Sequence, residues 1–137
     1  MKNEIVVDDR LFSGMKMSEI KTFVKEYYNA NLKGNTVKNI QKGITIKFSR
    51  KGFDHLIHAR NVGYVKIKAI VVLKQMVENA TYLNFKDRDS DDSKEILGYF
   101  NFSCKAIVEG KNQNFRIVIR LTKDGKFYYD HSVKVSK

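Results

Sequence analysis

Three stretches near the C-terminus, YFNFSCKAIV (99–108), QNFRIVIRLT (113–122) and KFYYDHSVKV (126–135), each alternate apolar and polar side chains over most of their length. Successive side chains of a strand point to opposite faces, so alternation of this kind marks half-buried strands. The links between them, EGKN and KDGK, are turn sequences, because glycine supplies positive φ at no steric cost and Asn or Asp tolerates it. Strands joined by such short links lie side by side as an antiparallel meander. Strict alternation assigns Phe100, Phe102, Phe115, Ile117, Ile119, Phe127, Tyr129, Val133 and Val135 to its apolar face. It assigns Lys105, Arg116, Arg120, Tyr128, Asp130, Ser132 and Lys134 to the opposite face, and it drops His131 onto the apolar one.

An apolar sheet face has to be covered, and the first eighty residues hold the cover. In SEIKTFVKEYYNANLKG, Ile20, Phe23, Val24, Tyr27 and Tyr28 recur at helical spacing, with Ser18 as N-cap and Gly34 as stop. TVKNIQKGITIKFS predicts a small hairpin with Ile44, Ile46 and Phe48 on one side. SRKGFDHLIHAR predicts a helix capped by Ser49, with Phe53, Leu56 and Ile57 on one side. In YVKIKAIVVLKQMVENA a helical face runs through Val65, Ala69, Val72, Leu73, Met76 and Ala80, although VKIKAIVV also has strand composition. KDRDSDDSKE (86–95) is expected to be a solvated, mobile acidic loop. The expected fold is α+β: N-terminal helices, with a small hairpin, packed on a four-stranded antiparallel sheet. A single domain over 1–137 is expected, mainly helical over 18–80 and sheet over 96–137.

A chain of 137 residues with 42% hydrophobic and 30% charged residues has the composition of one globular domain. No apolar run approaches the roughly 18 residues of a membrane span, so no membrane partner is expected. MKNEIVVDDRLF is too acidic and too short in apolar residues for a secretory signal. The single cysteine, Cys104, forms no internal disulfide, which makes the cytoplasm the default compartment.

Charge narrows the class of partner. The net charge is +11, and residues 33–74 carry ten Lys or Arg against one Asp, while 96–137 carry eight bases against three acids. A field concentrated in this way attracts a polyanion, nucleic acid or anionic lipid headgroups. A Lys-, Asn- and Ile-rich chain without proline also arises from composition alone.

Two of the three histidines, His55 and His58, stand three residues apart beside Arg50, Lys51 and Arg60. With His131 they form a possible metal set, but no Cys or carboxylate of recognisable spacing stands near them, and neither a metal nor any other cofactor is expected. Metal-independent RNA cleavage fits better. There the ribose 2′-OH attacks phosphorus, a base takes its proton, an acid protonates the leaving oxygen, and a cation steadies the phosphorane. Histidine suits both proton transfers, and Arg or Lys suits the charge. His55 or His58 from the helix, His131 from the last strand, and Lys105, Arg116 and Arg120 from the sheet supply these groups. Each also has a plainer reading: a buried histidine at 131, an Asp54–His58 surface pair, a solvated sheet face, core packing for Cys104.

ITIKFSRKGFDHLIH, the ending MVENA and the closing FRIVIRLTKDGKFYYDHSVKV together resemble the phage and mobile-element domains of the barnase, EndoU, colicin and RelE-like nuclease group, including those that accompany large polyvalent phage proteins. The resemblance runs from about residue 19 to the end, with SRKGFDH and YYDH as its most specific pieces. It implies helices before a four-stranded antiparallel sheet, and a metal-independent endoribonuclease of phage or toxin type. His55 matches the helix histidine of the motif, Arg120 a basic strand position, and Tyr129 and His131 the closing YYDH. On this reading His55 and His131 are acid and base, Arg120 and Lys105 hold the scissile phosphate, and Arg50 and Lys51, with His58 and Arg116, grip flanking RNA. A toxin of this type implies an acidic immunity protein or antitoxin to complement the basic surface. The competing expectation is a non-catalytic module of the same fold that binds nucleic acid or protein.

Overall fold

The computed structural model describes residues 4–49 and 63–135, so the helix expected over 49–60, with Arg50, Lys51, His55 and His58, lies outside the described residues except for Ser49 at its start. The first amphipathic stretch forms α1 (Met17–Asn31), whose Ile20, Val24 and Tyr28 are buried. It begins slightly before Ser18, with Lys16 at the N-cap, and the Glu19 carboxylate reaches back to accept from the Lys16 backbone N–H at 3.0 Å. The hairpin follows as β1 (Thr36–Lys38) and β2 (Thr45–Lys47). The second helical stretch is broken into α2 (Tyr64–Lys68), a 3-10 turn (Ala69–Val72) and α3 (Leu73–Asn79). The β-branched run Ile70-Val71-Val72 explains the break, since such side chains crowd an α-helical turn.

The remaining chain is sheet: β3 (Thr81–Asp87), β4 (Ile96–Val108), β5 (Lys111–Thr122) and β6 (Phe127–Val135). β4 turns into β5 through Glu109 and Gly110, both at positive φ (57° and 73°), the backbone that a two-residue hairpin matched to strand twist requires. All six strands form one mixed sheet in the order β1-β2-β6-β5-β4-β3. β2 lies parallel to β6, and the other pairings are antiparallel.

This corrects the expected four-stranded antiparallel sheet under N-terminal helices. The hairpin does not sit apart among the helices; β2 joins the sheet, pairing Ile46 with Phe127 and Lys47 with Tyr128. Among the described residues only one α-helix, α1, and a short 3-10 turn (Asp9–Phe12) precede it. β3 was hidden because TYLNFKD lies at the edge and is exposed on both faces, so no period of two marks it. The edge strand packs tightly nonetheless. A Cβ at Gly98 would stand 2.3 Å from the Phe85 ring and 2.6 Å from the Lys86 carbonyl, so glycine is what lets β3 lie against β4 there.

One core lies between the helices and the face bearing Phe102, Phe115, Ile117, Ile119 and Tyr129. Phe48 is fully buried at its centre, 6.4 Å from the Tyr28 ring of α1 and 5.7 Å from the Tyr129 ring of β6. Buried Asn39 ties the hairpin loop to the end of α3: its amide donates to the Val77 and Ala80 carbonyls, and its Oδ1 accepts from Lys42. The β3–β4 loop is internally bonded, with the Arg88 guanidinium on the Asp92 carbonyl and the Asp89 N–H on the Asp92 carboxylate. No helix among the described residues is long and apolar enough to cross a membrane.

Candidate functional site

β6 does not alternate strictly. It opposes Val118 with His131 and Ile119 with Tyr129, so Asp130 is an extra residue, a β-bulge. Beyond it, every side chain of β6 changes face relative to strict alternation. Ser132 therefore turns inward and is buried, where it accepts a hydrogen bond from the Tyr129 hydroxyl at 3.0 Å. His131, Val133 and Val135 turn to the face opposite the helices, and Val135 is exposed. The assignment of His131, Val133 and Val135 to the core face, and of Ser132 to the polar one, is thus corrected by a single inserted residue.

The bulge assembles a small polar cluster. Arg120 Nη1 donates to Asp130 Oδ1 at 3.0 Å, and His131 Nδ1 stands 2.7 Å from Asp130 Oδ2. One carboxylate thus holds both the arginine and the histidine. The Arg120 and Asp130 side chains are only 9% and 12% exposed, against 30% for His131. Burial of that degree leaves their mutual charge poorly screened, and the pairing is what makes it tolerable. The Arg120 guanidinium lies 5.2 Å from the centre of the Tyr128 ring, a cation–π contact that holds it in line with its strand neighbour. His131 meets the carboxylate through Nδ1, so the carboxylate orients the imidazole ring.

Tyr99 of β4 is directly opposite Arg120 on the other side. Burial, then the Asp92 carboxylate beside its hydroxyl, push its phenol up to about 12. A folded-state value above the ordinary 10.0 means that stability from the neutral phenol is fully present below pH 10 and is lost as pH rises towards 12. Between those values the unfolding temperature of the wild type is expected to fall more steeply than that of Tyr99→Phe, by thermal melts at half-unit pH steps. Parallel curves would show that Tyr99 carries no such linkage.

Of the candidate residues within the described chain, Arg120 and His131 come together and three do not join them. Tyr129 is fully buried in the core on the other side of the sheet, and burial raises its phenol strongly. Lys105 is six residues along β4 from Tyr99, about 20 Å at strand rise. Arg116 is four residues along β5 from Arg120, about 13 Å away. Lys105 and Arg116 instead line a groove of about 1220 Å³ with Glu4, Gln75, Asn79 and Cys104. His55, His58, Arg50 and Lys51 lie outside the described residues.

The residues missed from sequence are Asp130 as the bridge and Tyr99 as the neighbour of Arg120. Asp130 directly before the candidate histidine is a signal in itself, because a carboxylate commonly orients an imidazole. Tyr99 carries no comparable signal, since only the β4–β5 register brings it beside Arg120.

No curated protein and no solved structure matches the chain. The model of the Large polyvalent protein-associated domain 3 family matches residues 15–129, a span from the start of α1 into β6 that takes in the hairpin, the helical stretch, β3 to β5 and Arg120. The chain belongs to the Large polyvalent protein-associated domain 3 family.

Proposed function

We propose that this domain is a metal-independent endoribonuclease of phage or toxin type, in the manner of the barnase, EndoU, colicin and RelE-like nuclease group. The observation that supports this reading best is the Asp130 carboxylate, which engages Arg120 with one oxygen and His131 with the other. That arrangement gives an oriented imidazole for proton transfer beside a guanidinium for the phosphate. His131 is one of the acid–base pair, His55 the other, and Arg120 stabilises charge on the phosphorane. RNA is the substrate, favoured by the net charge of +11, and an acidic immunity protein or antitoxin would complement the same surface.

The test is incubation of the purified protein with total RNA in excess EDTA, beside His131→Ala and His55→Ala. Products ending in 2′,3′-cyclic phosphate are expected, with the rate falling about 10²- to 10⁴-fold in each variant, the usual worth of a positioned general acid or base. RNA left intact by the wild type, with salt-sensitive binding retained, would sink the enzyme. It would support the second reading, a non-catalytic binding module for nucleic acid or protein. The burial of Arg120, 8% exposed and already neutralised by Asp130, favours that reading.

A further inference from the structure

The register lines up one row of side chains across five of the six strands, on the face opposite the helices. Lys47 of β2 pairs with Tyr128 of β6, Tyr128 with Arg120 of β5, Arg120 with Tyr99 of β4, and Tyr99 with Lys86 of β3. The chain neighbours of the row, Ile46, Phe127, Ile119, Phe100 and Phe85, point to the helices' side, as the Phe100–Phe127 and Phe85–Phe100 ring contacts show. The row therefore alternates cation, aromatic, cation, aromatic, cation. Strands stand about 4.8 Å apart, so it runs roughly 19 Å from Lys47 to Lys86, with the two rings about 10 Å apart.

Each part of the row has a definite local state. Lys47 and Lys86 are exposed at its ends, and Lys86 makes a 3.5 Å surface pair with Asp89, worth little in water. Tyr128 and Tyr99 are half-buried. Arg120 between them is held by Asp130 and lies against the Tyr128 ring, while the strand spacing sets the distance between the two rings. Asp92 stands at the hydroxyl edge of Tyr99, an edge that a stacking base does not use.

We propose that this row is a binding platform for single-stranded RNA laid across the strands, with one base stacked on Tyr128, one on Tyr99, and the flanking phosphates on Lys47 and Lys86. The inference deepens the ribonuclease reading by naming the form of the RNA, and in that respect it rests on it. Single strands are the form whose bases are unstacked and available to aromatic rings, and stacking tolerates any base because each has a π-face. Duplex RNA hides its bases and offers only phosphate, for which the two tyrosines have no use. A lone basic surface would bind both forms alike.

The chain has no tryptophan, so Tyr128→Trp provides a unique reporter beside the platform. In a His131→Ala background, which keeps RNA uncut, the fluorescence of Tyr128→Trp is followed on adding an eight-nucleotide single-stranded RNA, the same RNA as a duplex, and heparin. Quenching by the single strand alone is expected. Adding Tyr99→Leu, which keeps an apolar side chain but removes the ring, is expected to weaken binding about 5- to 150-fold, the worth of one stacked base. The pair Lys47→Gln and Lys86→Gln is expected to lower the salt dependence by about two phosphate contacts. A Tyr99→Trp reporter in the same background is read in parallel, so that a fault in one variant does not decide the result.

Equal quenching by duplex or heparin, no binding of the single strand, or binding unchanged by Tyr99→Leu would each overturn the platform. Tight single-strand binding by a wild type that cuts no RNA would overturn the enzyme and leave the platform standing. Cleavage in EDTA with affinity unchanged by Tyr99→Leu would do the reverse.

Discussion

Asp130→Ala is expected to lower the folding free energy by about 3–5 kcal/mol, because it leaves the Arg120 guanidinium buried without its counter-charge. The magnitude depends on burial. An exposed pair of the same length is worth about 0–1 kcal/mol, whereas here both side chains are roughly nine-tenths covered. Desolvation of Arg120 persists when the carboxylate goes, so the cost exceeds that of the lost contact alone. The double change Arg120→Met with Asp130→Leu removes both charges and is expected to recover most of the loss. Urea unfolding of the two variants beside the wild type checks both values. A loss below about 1 kcal/mol for Asp130→Ala would show that the pair is screened like a surface one.

Phe48→Ala is expected to cost about 3–5 kcal/mol, the usual price of deleting a buried ring. Phe48 follows β2 and stands between the Tyr28 and Tyr129 rings, so it joins α1, the hairpin and the sheet. The cavity left by alanine opens at that junction and cannot close without moving one of the three. Phe48→Leu keeps most of the volume and is expected to cost under about 1.5 kcal/mol. Denaturant unfolding gives the totals, and hydrogen exchange at β1 and β2 shows whether the hairpin loosens first. An alanine variant as stable as the wild type would mean that the hairpin docks through Asn39 and its backbone pairing alone.

The meander was legible because its strands alternate apolar and polar side chains over most of their length, even though β5 is buried on both faces from Ile117 to Arg120. The helical faces were legible for the same reason at a different period, and Val65, Ala69, Val72, Leu73, Met76 and Ala80 are each at least partly buried. What was not legible depends on pairing between distant segments. β3 has two exposed faces, so its sequence carries no period. The β2–β6 contact joins residues about eighty positions apart, and nothing local to either strand specifies a parallel partner. The bulge was harder still, since strict alternation places Val133 and Val135 in the core and so argues against it. The chain instead gains the Arg120–Asp130 pair and the Tyr129–Ser132 bond. Bulges that re-aim one side chain recur beside functional sites, and the side chain re-aimed here is His131. Residue type alone marks the polar candidates, and type says nothing of distance along a strand, so Lys105 and Arg116 stand in a groove apart from Arg120.

The place of β6 in the sheet order has a consequence for the way the molecule is assembled in time. β6 comes last in sequence among the six described strands, yet it is interior, between β2 and β5. A nascent chain that has emerged only through Thr122 holds a helix and hairpin on one side and a three-stranded meander on the other, with no strand shared between them. The two halves become one sheet only when residues 127–135 arrive and zip to both neighbours. Until then the edges of β2 and β5 offer unpaired backbone to any passing strand. The long closure this demands slows folding. Vulnerability to mispairing during synthesis is therefore concentrated in the interval before the final strand is delivered, rather than spread along the chain.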